Sequence, residues 1–206
     1  MSQKIAFLIN PFKKSVAVAD YFFWVIETVK VKKSNWEIQL FTKDWPADLS
    51  DFDQVWIMGG DGTFNYFVNK YPSLKKPIAL FKGGTGNDFY WKLFGELSRE
   101  KHLEVILQGQ VVALDAGICN GQIFLNGVGI GIEGEVLKSM EAIRYFKGAL
   151  GYYLAAIPNL LKFKSYHIQG NRKVFLCMVF NSSRAGGGFH FFPHAEIQDG
   201  LLDVMY

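Results

Sequence analysis

Cysteine and proline are scarce in this chain, with two and six residues among 206. Cys119 and Cys177 cannot build a disulfide framework. Each falls in an apolar stretch, so both are read as reduced, buried thiols of a cytoplasmic protein. No long apolar run is present. The N-terminus has only five apolar residues, Ile5 to Ile9, before Asn10-Pro11, which is too short for a secretory signal, and no export is expected. The stretch from Ala149 to Leu161 is interrupted by Pro158 and Asn159, which excludes a bilayer-spanning helix there. Carboxylates are absent from Ala142 to Ala195, where Arg144, Lys147, Lys162, Lys164, Arg172, Lys173 and Arg184 stand unopposed. The net charge is only +3, so the basic excess belongs to the second half and favours an anionic partner there. The alternative is that these charges solvate helix and strand surfaces. What the chain has in quantity is apolar material, 50% of its residues, together with 21 glycines. That excludes a disordered chain and supports one large or two small cores.

The first half alternates strand and helix patterns. Apolar runs at Lys4–Asn10, Trp36–Thr42, Gln54–Met58 and Pro77–Phe81 read as strands, and Val16–Lys33, Phe64–Lys70 and Ser98–Gln108 as helices. This order implies an α/β domain with a parallel sheet over residues 1–109. From 110 to 206 the pattern is β-rich: Val111–Cys119, Gln122–Val128, Tyr166–Gln169, Lys173–Phe180, Phe189–Phe192 and Leu202–Tyr206 read as strands, with a helical insertion at Gly148–Lys164.

Two glycine-rich strings follow strands of the first half. Gly59-Gly60-Asp61-Gly62-Thr63 sits at a strand-to-helix junction, where residues without Cβ let main-chain N–H groups close around a phosphate at a helix N-terminus. Asp61 beside an anion implies that it holds Mg²⁺, positions a donor, acts on a proton, or merely caps the turn. Gly83-Gly84-Thr85-Gly86-Asn87-Asp88 follows the next strand, and in a parallel sheet both turns open at the ligand-binding edge, as does Asn10-Pro11. No P-loop string is present. Gly129-Ile-Gly-Ile-Glu-Gly134 matches the dinucleotide fingerprint in letters, but no carboxylate follows Glu141 until Glu196 and the surrounding pattern is not βαβ, so a dinucleotide site is rejected. Farther on, Gly186-Gly187-Gly188 precedes Glu196 and Asp199-Gly200-Leu201-Leu202-Asp203. Asp199 and nearby carbonyls there offer either hard oxygen ligands for Mg²⁺ or a plain Asp-Gly turn. His190 and His194 lack partners at zinc-like spacing and are read as core or rim histidines.

Taken in order, Gly59–Thr63, Gly84–Asp88, Leu114-Asp115, Phe124–Asn126, Gly186–Gly188 and Asp199–Val204 resemble the motifs of the diacylglycerol-kinase-like lipid kinases over essentially the whole chain. The resemblance implies a phosphofructokinase/NAD-kinase-like α/β domain followed by a β-sandwich. It implies transfer of the γ-phosphate of Mg·ATP to a lipid hydroxyl, such as that of diacylglycerol. It further implies that Asn10, Thr42, Gly59, Gly60, Asp61, Gly62, Thr63, Phe64, Asn65 and Thr85 touch ATP, and that Asp199, with main-chain oxygens of Glu196 and Leu201, binds a structural Mg²⁺ that organises the cleft through waters and does not carry the transferred phosphate. The family's proton-accepting carboxylate lies in a late Asp-Gly-Glu segment. None is found before Tyr206, so the 206 residues are expected to bind nucleotide and phosphorylate lipid poorly. The expected partners are ATP and a lipid at a membrane surface, reached peripherally from the cytoplasm, with no nucleic acid. Open sheet edges in an unfinished β-rich half would favour a homodimer. The competing readings are an NAD kinase, which shares Gly-Gly-Asp-Gly-Thr, and a binding module without catalysis.

Overall fold

The computed structural model of the chain describes residues 2–11, 15–131, 165–168 and 172–206. Strands β1 (Gln3–Ile9), β2 (Trp36–Phe41), β3 (Gln54–Gly59) and β4 (Ile78–Lys82) form one parallel sheet in the order β2-β1-β3-β4. The unbroken apolar run of β1 reflects burial on both faces. Ala6 and Leu8 point to one core and Ile5, Phe7 and Ile9 to the other. Helix α1 (Val16–Lys32) sends Tyr21, Val25 and Val29, one helical turn apart, to the Phe7 side, where Leu103 of α4 (Arg99–Gln108) joins them. Helices α2 (Asp61–Lys70) and α3 (Asp88–Phe94) cover the Leu8 side with Phe64, Phe67, Phe89 and Tyr90.

The crossovers from β1 to β2 and from β3 to β4 step in opposite directions across the sheet. With a common handedness their helices must fall on opposite faces, as α1 and α2 do. The chain leaving β1 and the chain leaving β3 therefore diverge, and a crevice opens at their carboxyl ends. Helix α4 is capped at both ends. Ser98 Oγ accepts from Lys101 N at 3.3 Å, and Gly109 ends the helix at φ 72°. On the buried face of α4 lies His102, fully buried, with Tyr21 Oη 3.2 Å from Nδ1 and with Phe81, Tyr90 and Phe94 edge-on to its ring. Burial, reinforced by the like charge of Lys82, lowers its pKa to about 4, so the ring is neutral.

The second half is β-rich, as expected, but its strands are shorter than their apolar runs. A hairpin of β5 (Gly117–Cys119) and β6 (Gln122–Phe124) turns at Asn120-Gly121, both at positive φ. Strands β7 (Gly127–Gly131), β10 (Leu176–Phe180) and β13 (Asp203–Met205) form an antiparallel sheet in the order β13-β10-β7. Strands β8 (Tyr166–Ile168) and β9 (Arg172–Val174) pair, as do β11 (Arg184–Ala185) and β12 (Phe189–His190).

Several expectations are corrected. The run from Val111 is not one strand to Cys119, because Asp115 N donates to Ile197 O and leaves the ladder to residues 117–119. Gln122–Val128 divides between β6 and β7, and Lys173–Phe180 divides between β9 and β10 around the exposed Phe175. Cys119 is exposed and Cys177 only half-buried, contrary to the expected burial of both. Helix α2 starts at Asp61 rather than Phe64, and α3 had no counterpart in the sequence pattern. The insertion at Gly148–Lys164 lies outside the described residues. Residues 129–131, the described part of the letter match to a dinucleotide fingerprint, lie in β7 and pair antiparallel with β10. That is a strand and not a βα turn, which supports rejecting the site. Among the described residues no helix is long and apolar enough to cross a membrane.

Candidate active site

The crevice is floored by the start of α2. Gly60 occupies the N-cap position with extended backbone and offers no side-chain cap, while Thr63 N and Phe64 N both turn back to Gly60 O. The N–H groups of Asp61 and Gly62 thus belong to an open helix N-terminus, where the backbone carries partial positive charge. Gly62 is exposed, and a Cβ placed on it would meet nothing within 4 Å. Asn10, at the end of β1, closes one side of the opening by donating from Nδ2 to Thr63 Oγ1 at 2.8 Å.

The second glycine turn is laid on the first. A Cβ at Gly60 would stand 2.7 Å from Gly84 Cα, so the two backbones are in contact and neither turn tolerates a side chain there. Gly83 N donates to Gly59 O at 2.7 Å, which continues the β3–β4 ladder into the turn. Asn87, left-handed at φ 53°, holds the turn closed by accepting from Gly84 N at 2.7 Å and donating to Gly84 O at 3.0 Å. Thr85 is exposed at the tip.

Asp61 is committed to hydrogen bonds. Its Oδ1 accepts from Phe89 N at 2.8 Å and from Asn126 Nδ2 at 3.1 Å. Because the carboxylate only accepts, the Asn126 amide nitrogen must face it. Asn126 Oδ1 is then free to accept from Ser182 Oγ at 2.7 Å. Asp61 thus holds two donors through one oxygen. The contact also joins the two halves of the chain, as do the paired bonds between Asn69 and the main chain of Ile123, each 2.8 Å long. Asn126, Asn87 and Ser182 were not singled out as site residues. Asn126 and Asn87 lie inside quoted motifs, whereas nothing local marks Ser182.

The structure gathers Asn10, Gly59–Thr63 and Gly84 at one place. Thr42 stands one residue past β2, exposed, at the same sheet edge. Asn65 lies on α2, and its carbonyl accepts from Asn69 Nδ2. Phe64 is 1% exposed, its side chain in the core and its N–H bonded to Gly60 O, so it is not presented to the crevice. Glu196, Asp199 and Leu201 lie apart from the glycine turns in sequence and form a turn of their own. Asp199 Oδ1 accepts from Leu201 N at 2.9 Å, and Asp115 Oδ2 accepts from Gly200 N at 2.7 Å, so the Asp115 carboxylate reaches this turn. The side chain of Glu196 is 3.3 Å from Lys92 Nζ. Among the described residues no three His, Cys, Asp or Glu side chains converge as a metal cage. His190 and His194 are exposed rim residues.

Residues 4–119 match the family model of the diacylglycerol kinase catalytic domain, and residues 126–206 match that of the YegS C-terminal NAD kinase beta sandwich-like domain. The chain is 30% identical to a diacylglycerol kinase of Bacillus subtilis (strain 168) over 174 residues, 77% of this chain and 56% of that protein. It is 27% identical to a diacylglycerol kinase of Staphylococcus carnosus (strain TM300) over 200 residues, 86% of this chain and 64% of that protein. The chain thus spans a little over half to almost two thirds of these curated relatives. The crystal structure of a diacylglycerol kinase from Bacillus anthracis str. Sterne superposes with a TM-score of 0.69 at 24% identity, covering 98% of this chain and 72% of that one, which shows a shared fold. The α/β domain with its parallel sheet, the β-rich domain after it and the first family match, which covers more than half of the chain, place this protein in the diacylglycerol kinase catalytic-domain family.

Proposed function

We propose that this chain binds Mg·ATP in the crevice between β1 and β3 and serves transfer of the γ-phosphate to the hydroxyl of a lipid, diacylglycerol being the first candidate. The observation that carries this reading is the open N-terminus of α2 beneath two glycine turns packed backbone to backbone. The main-chain N–H groups of Asp61 and Gly62 bind phosphate oxygens there, and Asn10, Thr63, Thr85 and Thr42 border the nucleotide. Phosphoryl transfer requires positioning and charge neutralisation more than covalent participation, which suits a site built of N–H groups and fixed turns. Asp61 holds Phe89 N–H and Asn126 in place and thereby fixes the second turn relative to the first.

The donor chemistry at Asp199 fits Mg²⁺. This ion favours one or two carboxylates plus waters over an all-protein cage, and Asp199 and Asp115 flank a single turn with carbonyls beside them. Asp199, with the carbonyls of Glu196 and Leu201, would hold the ion, which would organise the cleft and not carry the transferred phosphate. The base that takes the hydroxyl proton is assigned to no described residue. The membrane side of the reaction is served by the acid-free stretch 142–195, apart from Arg184, which faces Asp88, and each basic residue near an anionic surface contributes about 1 kcal/mol.

The test is calorimetric titration with Mg·ADP, followed by a radiolabelled-ATP assay on diacylglycerol in mixed micelles. Saturable Mg·ADP binding is expected. A chain that binds no adenine nucleotide in Mg²⁺ overturns the proposal.

A further inference from the structure

We propose that Arg184 is a positioning residue of the nucleotide crevice. It acts through Asp88 to clamp the β11–β12 hairpin onto the second glycine turn. The inference rests on the nucleotide reading above and adds to it a residue outside both glycine turns.

Asp88 is the first residue of α3, and its side chain is 5% exposed. Its Oδ2 accepts from Gly187 N at 2.7 Å, at the tip of the hairpin in which Arg184 pairs with His190 and Ala185 with Phe189. Gly186, Gly187 and Gly188 all have positive φ, and a Cβ on Gly86 would stand 3.1 Å from Gly187 Cα, so the tip lies close against the second glycine turn. The other oxygen, Oδ1, has no hydrogen-bonded partner among the described residues and faces Arg184 Nε at 3.4 Å. The Arg184 side chain is itself only 14% exposed. Its guanidinium carbon lies 4.0 Å from the centre of the Trp91 ring, and His190 meets the same ring edge-on at 5.3 Å.

A carboxylate this deeply buried requires an opposite charge, and here the guanidinium supplies it. A planar cation that pairs at Nε while stacking on an indole has no equivalent in lysine. The consequence reaches Asp61. Phe89, next to Asp88, donates its N–H to Asp61 Oδ1, and Ser182, two residues before Arg184, reaches the same oxygen through Asn126. Segment 182–187 thus holds the two glycine turns at two points. Arg184 is too enclosed to meet a ligand itself, so its effect on nucleotide is through position.

The experiment compares R184Q and R184K with the unaltered chain by amide hydrogen exchange and by Mg·ADP calorimetry. In R184Q the amides of Gly187 and Phe89 exchange at least about tenfold faster, while those of β1 and β3 keep their protection. Mg·ADP affinity falls by about tenfold, with R184K between the two. R184K keeps the charge in place and carries the test if R184Q does not fold. Unaltered protection of Gly187 and Phe89 in the variants overturns the clamp. Faster exchange with unaltered Mg·ADP affinity overturns the positioning role, because a purely structural pair would behave that way. Absence of Mg·ADP binding by the parent chain overturns the nucleotide reading and with it the role of Arg184 there, whereas the exchange data still decide whether the clamp exists.

Discussion

Gly62→Ala separates a glycine kept for a ligand from one kept for packing. Gly62 is the second residue of α2, exposed, with helical backbone and nothing within 4 Å of where an added methyl group would stand. For the fold alone, alanine is the better residue. Replacing glycine in a helix gains about 0.5–1 kcal/mol, and the first-turn position places the gain at the lower end. For a chain of 206 residues that raises Tm by about 1–2 °C. A phosphate drawn to the N–H groups of Asp61 and Gly62 meets that methyl group, and a displacement costing about 1.4 kcal/mol weakens Mg·ADP tenfold. Gly60→Ala behaves differently, because its Cβ would press on Gly84 Cα at 2.7 Å and force the turns apart. It lowers stability by about 1–3 kcal/mol and affinity with it. Scanning calorimetry and Mg·ADP titration on both variants read the two effects separately. A raised Tm with unchanged affinity in Gly62→Ala refutes phosphate binding at this helix start. A lowered Tm refutes the reasoning about open space.

Asp61→Ala leaves Phe89 N–H and Asn126 Nδ2 without their acceptor and lowers stability by about 2–4 kcal/mol in urea unfolding. Asp61→Asn keeps an oxygen for Phe89 N–H, so it should lose less than half as much stability. An Asn variant as unstable in urea as the Ala variant would refute this role of the oxygen. His102 links stability to acid. Its folded pKa of about 4 lies below the ordinary 6.5, so the unfolded chain takes up the proton first. The contribution is complete above pH 6.5 and is lost as pH falls toward 4, by about 3 kcal/mol across that window. His102→Phe flattens this part of the profile, and an unchanged acid limb in urea titrations at pH 7 and 4.5 would rule the assignment out.

The parallel sheet, the helices flanking it and the glycine turns at its carboxyl edge could be read from the chain, because each is a short-range property. The apolar run of β1, the one-turn spacing of Tyr21, Val25 and Val29, Ser98 at the start of α4 and Gly109 at its end act over a few residues, and neighbours in sequence decide them. Strand lengths in the β-rich half were less legible. Val111 to Ala116 has the composition of a strand but meets Ile197 and Gly200 instead of a ladder. The seven-residue α3 is too short for its aromatic sequence to show a period. The role of Asp61 was undecidable from its five-residue context. Its partner Asn126 lies 65 residues away, and Gly187 lies 99 residues from Asp88. Glycine at 60 and 84 speaks of close approach, but only the folded chain shows that part of what approaches is the other glycine. Hydrogen bonds and ion pairs of this kind depend on how whole elements pack, and no local pattern records which distant donor a buried carboxylate will meet.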